Sequence, residues 1–101
     1  MKRVTAQCDR YGKVIVPELE RSELGEIKSA VISYMKRRDF VSAASSSRIH
    51  DFVSDSINQD YCRAWYSDGE YEWSAHDFSY VEKYDMKLDD DFIAKIINTT
   101  A

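Results

Sequence analysis

Asp68-Gly69-Glu70-Tyr71-Glu72-Trp73-Ser74-Ala75-His76-Asp77-Phe78-Ser79-Tyr80-Val81-Glu82-Lys83-Tyr84 is the stretch on which the fold turns. Asp68-Gly69 is a turn signal, and residues 70–75 alternate polar and apolar side chains with the period of two that a strand requires. Beyond it two patterns compete. Phe78, Tyr80, Tyr84, Met86 and Leu88 fit a period of two, whereas Ser74 followed by Asp77 is a capping box ahead of a helix carrying Tyr80, Val81 and Tyr84. The density of Tyr and Phe favours a strand over residues 78–86.

On the C-terminal side, residues 89–91 are three aspartates at the start of a short helix with Phe92, Ile93, Ile96 and Ile97 on one side. On the N-terminal side, Asp39 is read as the cap of a short helix to Ala44, and Ser45-Ser46-Ser47 as a break. Ser47 then caps a helix from Arg48 in which Ile49, Phe52, Val53 and Ile57 share a face. Asp60 falls on that apolar face, so the helix is expected to bend near Asn58-Gln59, the alternative being Asp60 buried against Arg63. Cys62 then also lies on helix. Farther back, residues 3–8 and 13–16 read as a hairpin about the turn 9–12. Pro17 opens a helix to Arg38, with Leu24, Ile27, Val31, Tyr34 and Met35 as its apolar stripe and Lys36-Arg37-Arg38 matching its negative end. The expected fold is α+β, one compact domain over residues 1–101. A short antiparallel sheet, made of the N-terminal hairpin and strands around 70–75 and 78–86, packs on three to four helices.

Length and composition fit that domain: 101 residues, 44% hydrophobic and only three glycines and one proline suffice for one core without metal or disulfide support. Cys8 and Cys62 stand far apart and read as reduced thiols. The absence of a signal-like or membrane-spanning apolar run points to a soluble, cytoplasmic protein with no membrane partner, for which the Asn98-Thr99-Thr100 sequon has no meaning.

The net charge of −4 conceals a split. Residues 1–50 carry ten Lys or Arg against six Asp or Glu, a net of +4, and residues 51–101 carry four against twelve, a net of −8. Ten of the thirteen aromatics lie in the acidic half, which therefore offers rings and carboxylates together as a surface for a basic partner. On a strand, Asp68, Glu70 and Glu72 would form a line of charge at intervals of about 6.6–6.8 Å, with Tyr71 and Trp73 on the opposite face. Asp51 and Asp55, one helical turn apart, would repeat a spacing of roughly 6 Å. Both approach the spacing of phosphates along a nucleic-acid strand. The partner-binding residues read from this pattern are Asp51, Asp55, Trp65, Tyr66, Asp68, Glu70, Tyr71 and Glu72.

Enzymatic and metal chemistry find little purchase. Cys8, Cys62, His50 and His76 sit in no nucleophile motif or metal-ligand spacing, and no phosphate-cradling glycine motif is present. No catalytic residue, metal or cofactor is assigned. Lys36-Arg37-Arg38 and Arg48 bracket a helix–turn–helix-like arrangement, but Asp51 and Asp55 follow Arg48 where phosphates would repel them.

In type, though in no specific motif, the chain resembles the small acidic inhibitors that phages and mobile elements encode against host nucleic-acid machinery. The resulting expectation is a non-catalytic protein that inhibits a basic protein or nucleoprotein complex, as a DNA-mimic anti-CRISPR or anti-restriction factor does. The alternatives are an immunity or antitoxin-type protein, and a nucleic-acid-binding or self-associating regulator, for instance a homodimer, that uses the basic N-terminal half.

Overall fold

The computed structural model describes residues 1–100; Ala101, the last residue of the expected 1–101 domain, lies outside them. Among the described residues the chain is α+β, with strands β1 (Lys2–Arg3), β2 (Val41–Asp51), β3 (Ser56–Ser67) and β4 (Tyr71–Ser74) and helices α1 (Lys28–Met35), α2 (Ala75–Tyr84) and α3 (Asp90–Thr100). The sheet order is β1-β4-β3-β2. It is mixed rather than antiparallel, because β1 runs parallel to β4 while β4, β3 and β2 alternate.

The stretch 68–84 resolves as strand then helix. β4 forms as expected, and the capping box then overrides the aromatic propensity of residues 78–86: the Asp77 carboxylate accepts the Ser74 N–H at 2.9 Å and opens α2. Period two fails here because the face of α2 that meets the sheet is itself aromatic, with Phe78 and Tyr80 buried. Asp85, left-handed at φ 54°, ends the helix.

The two helices expected over residues 39–57 are instead one 3-10 turn (Arg38–Phe40) and the long hairpin β2–β3. Of the supposed stripe only Ile49 is buried; Phe52, Val53 and Ile57 are exposed. The serines prefer to bond backbone, as Ser42 Oγ does to the Trp65 carbonyl at 3.1 Å, and the strand pairing satisfies what a serine-rich helix would have strained. Asp60 accordingly needs neither bend nor burial, being exposed on β3, which also carries Cys62. The hairpin ladder is irregular, with extra residues at 45–47 on β2 and 58–61 on β3, and these bulges interrupt the outer edge of the sheet.

The expected helix over 17–38 shortens to a 3-10 turn (Gly25–Ile27) and α1, where Val31, Tyr34 and Met35 do face the core. Residues 17–24 are claimed by long-range pairing: Ser22 N–H donates to the Asp85 carbonyl at 2.8 Å and Lys87 N–H to the Glu20 carbonyl at 2.9 Å. Gln7 clamps the same strip, its amide donating to the Glu20 and Lys87 carbonyls and its oxygen accepting the Glu20 N–H. The N-terminal hairpin survives as a turn with a single Cys8–Val14 bridge; of its expected strands only Arg3 joins the sheet, in β1.

Helices α1 and α3 converge on Trp73, 1% exposed, whose indole N–H donates to the Met35 carbonyl at 2.9 Å. Tyr66 stacks on it at 6.1 Å, and Phe40 and Phe92 meet it at 5.9 and 5.3 Å. Each such pair contributes roughly 0.5–1.5 kcal/mol beyond burial. Cys8 and Cys62 are free thiols, and among the described residues no helix is long and apolar enough to cross a membrane.

Candidate functional site

The hairpin tip between β2 and β3 holds the residues that the fold displays rather than uses. Asp51 builds it. One carboxylate oxygen accepts the N–H groups of Val53 and Ser54 at 2.8 and 3.0 Å, and the other accepts the Tyr84 hydroxyl at 2.8 Å. Burial pushes this carboxyl up, but those donors outweigh it and hold Asp51 below the ordinary carboxylate range. Asp55, left-handed at φ 53°, turns the chain back into β3.

Three anchors fasten the tip to α2. Besides the Tyr84–Asp51 bond, the Tyr80 hydroxyl accepts the Phe52 N–H at 3.1 Å and donates to the Gly12 carbonyl at 2.8 Å. Asn58 donates to Ser79 Oγ at 2.9 Å and accepts the N–H groups of Asp60 and Tyr61, which satisfies the bulge. On this fixed backbone Phe52, Val53 and Ile57 are 41%, 39% and 60% exposed. The His50 imidazole lies edge-on to Phe52 at 4.7 Å and bonds the outward Asp55 carboxylate at 3.0 Å. Behind Phe52, His76 is packed under Gly12; burial first, then the charge of Arg63, lower its pKa to about 4 and keep it neutral.

The line of charge expected from Asp68, Glu70 and Glu72 does not form, because β4 begins only at Tyr71. Asp68 lies in the preceding turn with its side chain 2% exposed, accepting the N–H groups of Glu70 and Tyr71, the Tyr34 hydroxyl at 2.6 Å and the Lys95 ammonium at 2.9 Å. Glu70 pairs with Lys95 at 3.0 Å, and Tyr71 is core, 2% exposed. Glu72 and Trp65 lie on the outer sheet face, half-buried, and Tyr66 turns inward onto Trp73. Asp51 and Asp55 are close, but across a turn rather than along a helix. The structure thus brings Asp51 and Asp55 together at one place, and Trp65 and Glu72 at another.

Burial raises the Asp68 carboxyl, yet its four donors bring it down to about 2. A depressed carboxyl contributes stability that is fully present above its unfolded pKa, about 3.9, and is lost as pH falls through the folded value. Acid denaturation of the native chain should therefore show a loss on the order of 2 kcal/mol between about pH 4 and 2 that Asp68→Asn lacks. Urea melts across that range measure it.

The helix–turn–helix-like reading of Lys36–Arg38 and Arg48 ends with the hairpin. Lys36 lies over Tyr61, Arg37 over Phe40 and against Asp39, and Arg48 points to Cys62 Sγ. Two cations to which the sequence pattern assigns no binding role matter more: Arg10, in the expected turn, and Arg63, expected at most as a partner for Asp60. Arg63-x-Trp65 is a cation and a ring on one face of a strand, a signal that vanishes when the segment is taken as helix. Comparison with known proteins gives no match, whether to family models, to curated proteins or to solved structures.

Proposed function

We propose that this chain is a non-catalytic binding protein that inhibits a basic, nucleic-acid-handling partner of the kind phage and mobile-element inhibitors target, and that it docks through the hairpin tip. One observation carries the reading: Phe52, Val53 and Ile57 stand exposed around the Asp55 carboxylate on a turn hydrogen-bonded to α2. Adjacent large apolar side chains held out on a rigid turn are expensive to leave wet and cheap to bury against a partner, since little backbone order remains to be lost. Asp55, with its side chain 93% exposed, supplies charge for steering toward a basic rim. The −8 of residues 51–101 gives that steering its sign.

The test is affinity capture with the full chain as bait, washed at two salt concentrations and read by mass spectrometry. A basic protein or nucleoprotein complex should be recovered, and a Phe52→Ala, Ile57→Ala double variant should lose at least about 30-fold in affinity, the size of a hot-spot truncation. Asp55→Lys should slow association and flatten the salt dependence. Undiminished capture by the double variant, with its circular dichroism unchanged, sinks the docking surface. Recovery of nucleic acid alone moves the function to the regulator.

A further inference from the structure

A second feature lies on the outer sheet face and owes nothing to the hairpin-tip reading. Trp65 and Glu72, on β3 and β4, line a cavity of about 170 Å³ together with Met1, Arg3, Arg10 and Ser42. An open groove of about 740 Å³ shares Arg3 and Arg10 with it and runs on to Lys87, which is paired with Glu20 at 3.5 Å; Asp9, Glu20 and Asp89 also line it, so unopposed positive charge is confined to the Arg10 end. The Trp65 indole N–H reaches the Arg10 carbonyl at 3.4 Å, which draws the N-terminal turn down beside the ring. The Arg63 guanidinium stands over that ring, 5.4 Å from its centroid.

Two of these cations are not consumed by the fold. Arg3 is spoken for by Asp77, but among the described residues the exposed Arg10 guanidinium has no hydrogen-bond or carboxylate partner. Arg63, also exposed, has no hydrogen-bond or carboxylate partner among the described residues and lies over the indole. Unneutralised guanidinia beside a partly exposed indole suit a ligand that is planar at one end and anionic at the other. Glu72 sets the polarity: it would repel a phosphate but accept from an exocyclic amine. The base therefore enters beside Trp65 and the phosphate stays out by the arginines.

We propose that the outer sheet face binds a nucleotide, with its base stacked on Trp65 and its phosphate held by Arg10 and Arg63. The unit is either free or part of a single strand. Base–aromatic stacking with arginine on the phosphates is how single strands are held with little sequence preference.

The chain is titrated with 5′-AMP, with a six-residue oligo(dA) and with inorganic phosphate, following tryptophan fluorescence and heat. Trp73 is 1% exposed, so saturable quenching reports on Trp65. Trp65→Phe should weaken binding about tenfold by calorimetry, and Arg10→Ala and Arg63→Ala about fivefold each, with thermal melts unchanged. Tighter binding of oligo(dA) than of 5′-AMP, with affinity falling by a log–log salt slope of about −0.7 per phosphate contacted, assigns a single strand; equal affinity assigns the free nucleotide. The proposal is overturned if neither ligand binds at millimolar concentration, if inorganic phosphate binds as well as 5′-AMP, or if the three variants bind like the native chain. The Phe52→Ala, Ile57→Ala variant should bind 5′-AMP normally, which keeps failure here separate from failure at the tip.

Discussion

Arg3→Ala should destabilise the domain by about 3 kcal/mol at neutral pH, lowering the melting temperature by on the order of 15 °C. Arg3 is the only cation reaching the Asp77 carboxylate among the described residues, at 3.2 Å, and Asp77 is 0% exposed with one oxygen lacking any partner. Burial already pushes the Asp77 carboxyl up, against the pull of Arg3 and of the Ser74 N–H. Removing the guanidinium leaves a buried charge whose remaining support is the capping box, and it also severs bonds from Arg3 to the Glu72 and Asp9 carbonyls, both 3.3 Å. One side chain thus joins β4, the N-terminal turn and α2.

The pH dependence identifies the cause. A carboxyl whose folded pKa is raised binds its proton more readily in the native state, so its burden on stability is absent at low pH and grows as pH rises through the unfolded value. Arg3→Ala raises it further. Its deficit should be larger at pH 7 than at pH 4, and Arg3→Ala combined with Asp77→Asn should recover part of it. Urea melts of the single and double variants at both values decide the matter. A deficit below about 0.5 kcal/mol, or one independent of pH, removes the buried-charge account.

Gly12→Ala should cost roughly 2–5 kcal/mol, through two separable effects. Gly12 is left-handed at φ +82°, which strains any residue with a Cβ, and that Cβ would lie 2.1 Å from Cγ of the buried His76 ring. His76 has little room to yield, with Phe52 and Tyr80 rings at 6.2 and 6.4 Å and the Tyr80 hydroxyl tied to the Gly12 carbonyl. Gly69 separates the effects, since it too is left-handed, at φ +96°, but has open space where a Cβ would be. Gly69→Ala should therefore show the backbone strain alone, about 1 kcal/mol, and His76→Ala should relieve part of the Gly12→Ala loss. Equal melting temperatures for the two glycine variants would refute the close-contact argument. Because His76 lies behind Phe52, the Gly12→Ala variant should also loosen the hairpin tip, measurable as faster amide exchange at Phe52.

What the sequence alone determined is local or compositional. Glu70 to Ala75 alternate and β4 forms; residues 89–91 and the Phe92, Ile96 spacing make α3; Val31, Tyr34 and Met35 make the buried face of α1. The α+β class follows from these, as does the abundance of carboxylates and rings in one half. The capping box Ser74–Asp77 was legible too, but strand propensity outweighed it, because propensity cannot register that α2 would bury its aromatics against a sheet. The hairpin 41–67 was decided by tertiary structure. Its serines have weak local preference, and its pairing joins residues as distant as Val41 and Tyr66.

The same division holds for the sites. A run of carboxylates is visible in sequence, but whether each is free or used depends on what folds against it. Tyr34 and Lys95 take Asp68 into the structure, Tyr84 takes Asp51, and Asp55 alone of these is left outward. Arg10 and Trp65 are 55 positions apart and meet only because the N-terminal turn lies on the outer sheet face. Periodicity and capping depend on neighbours along the chain, which sequence displays; ion pairs, ring stacks and exposure depend on neighbours in space, which only the packed fold supplies.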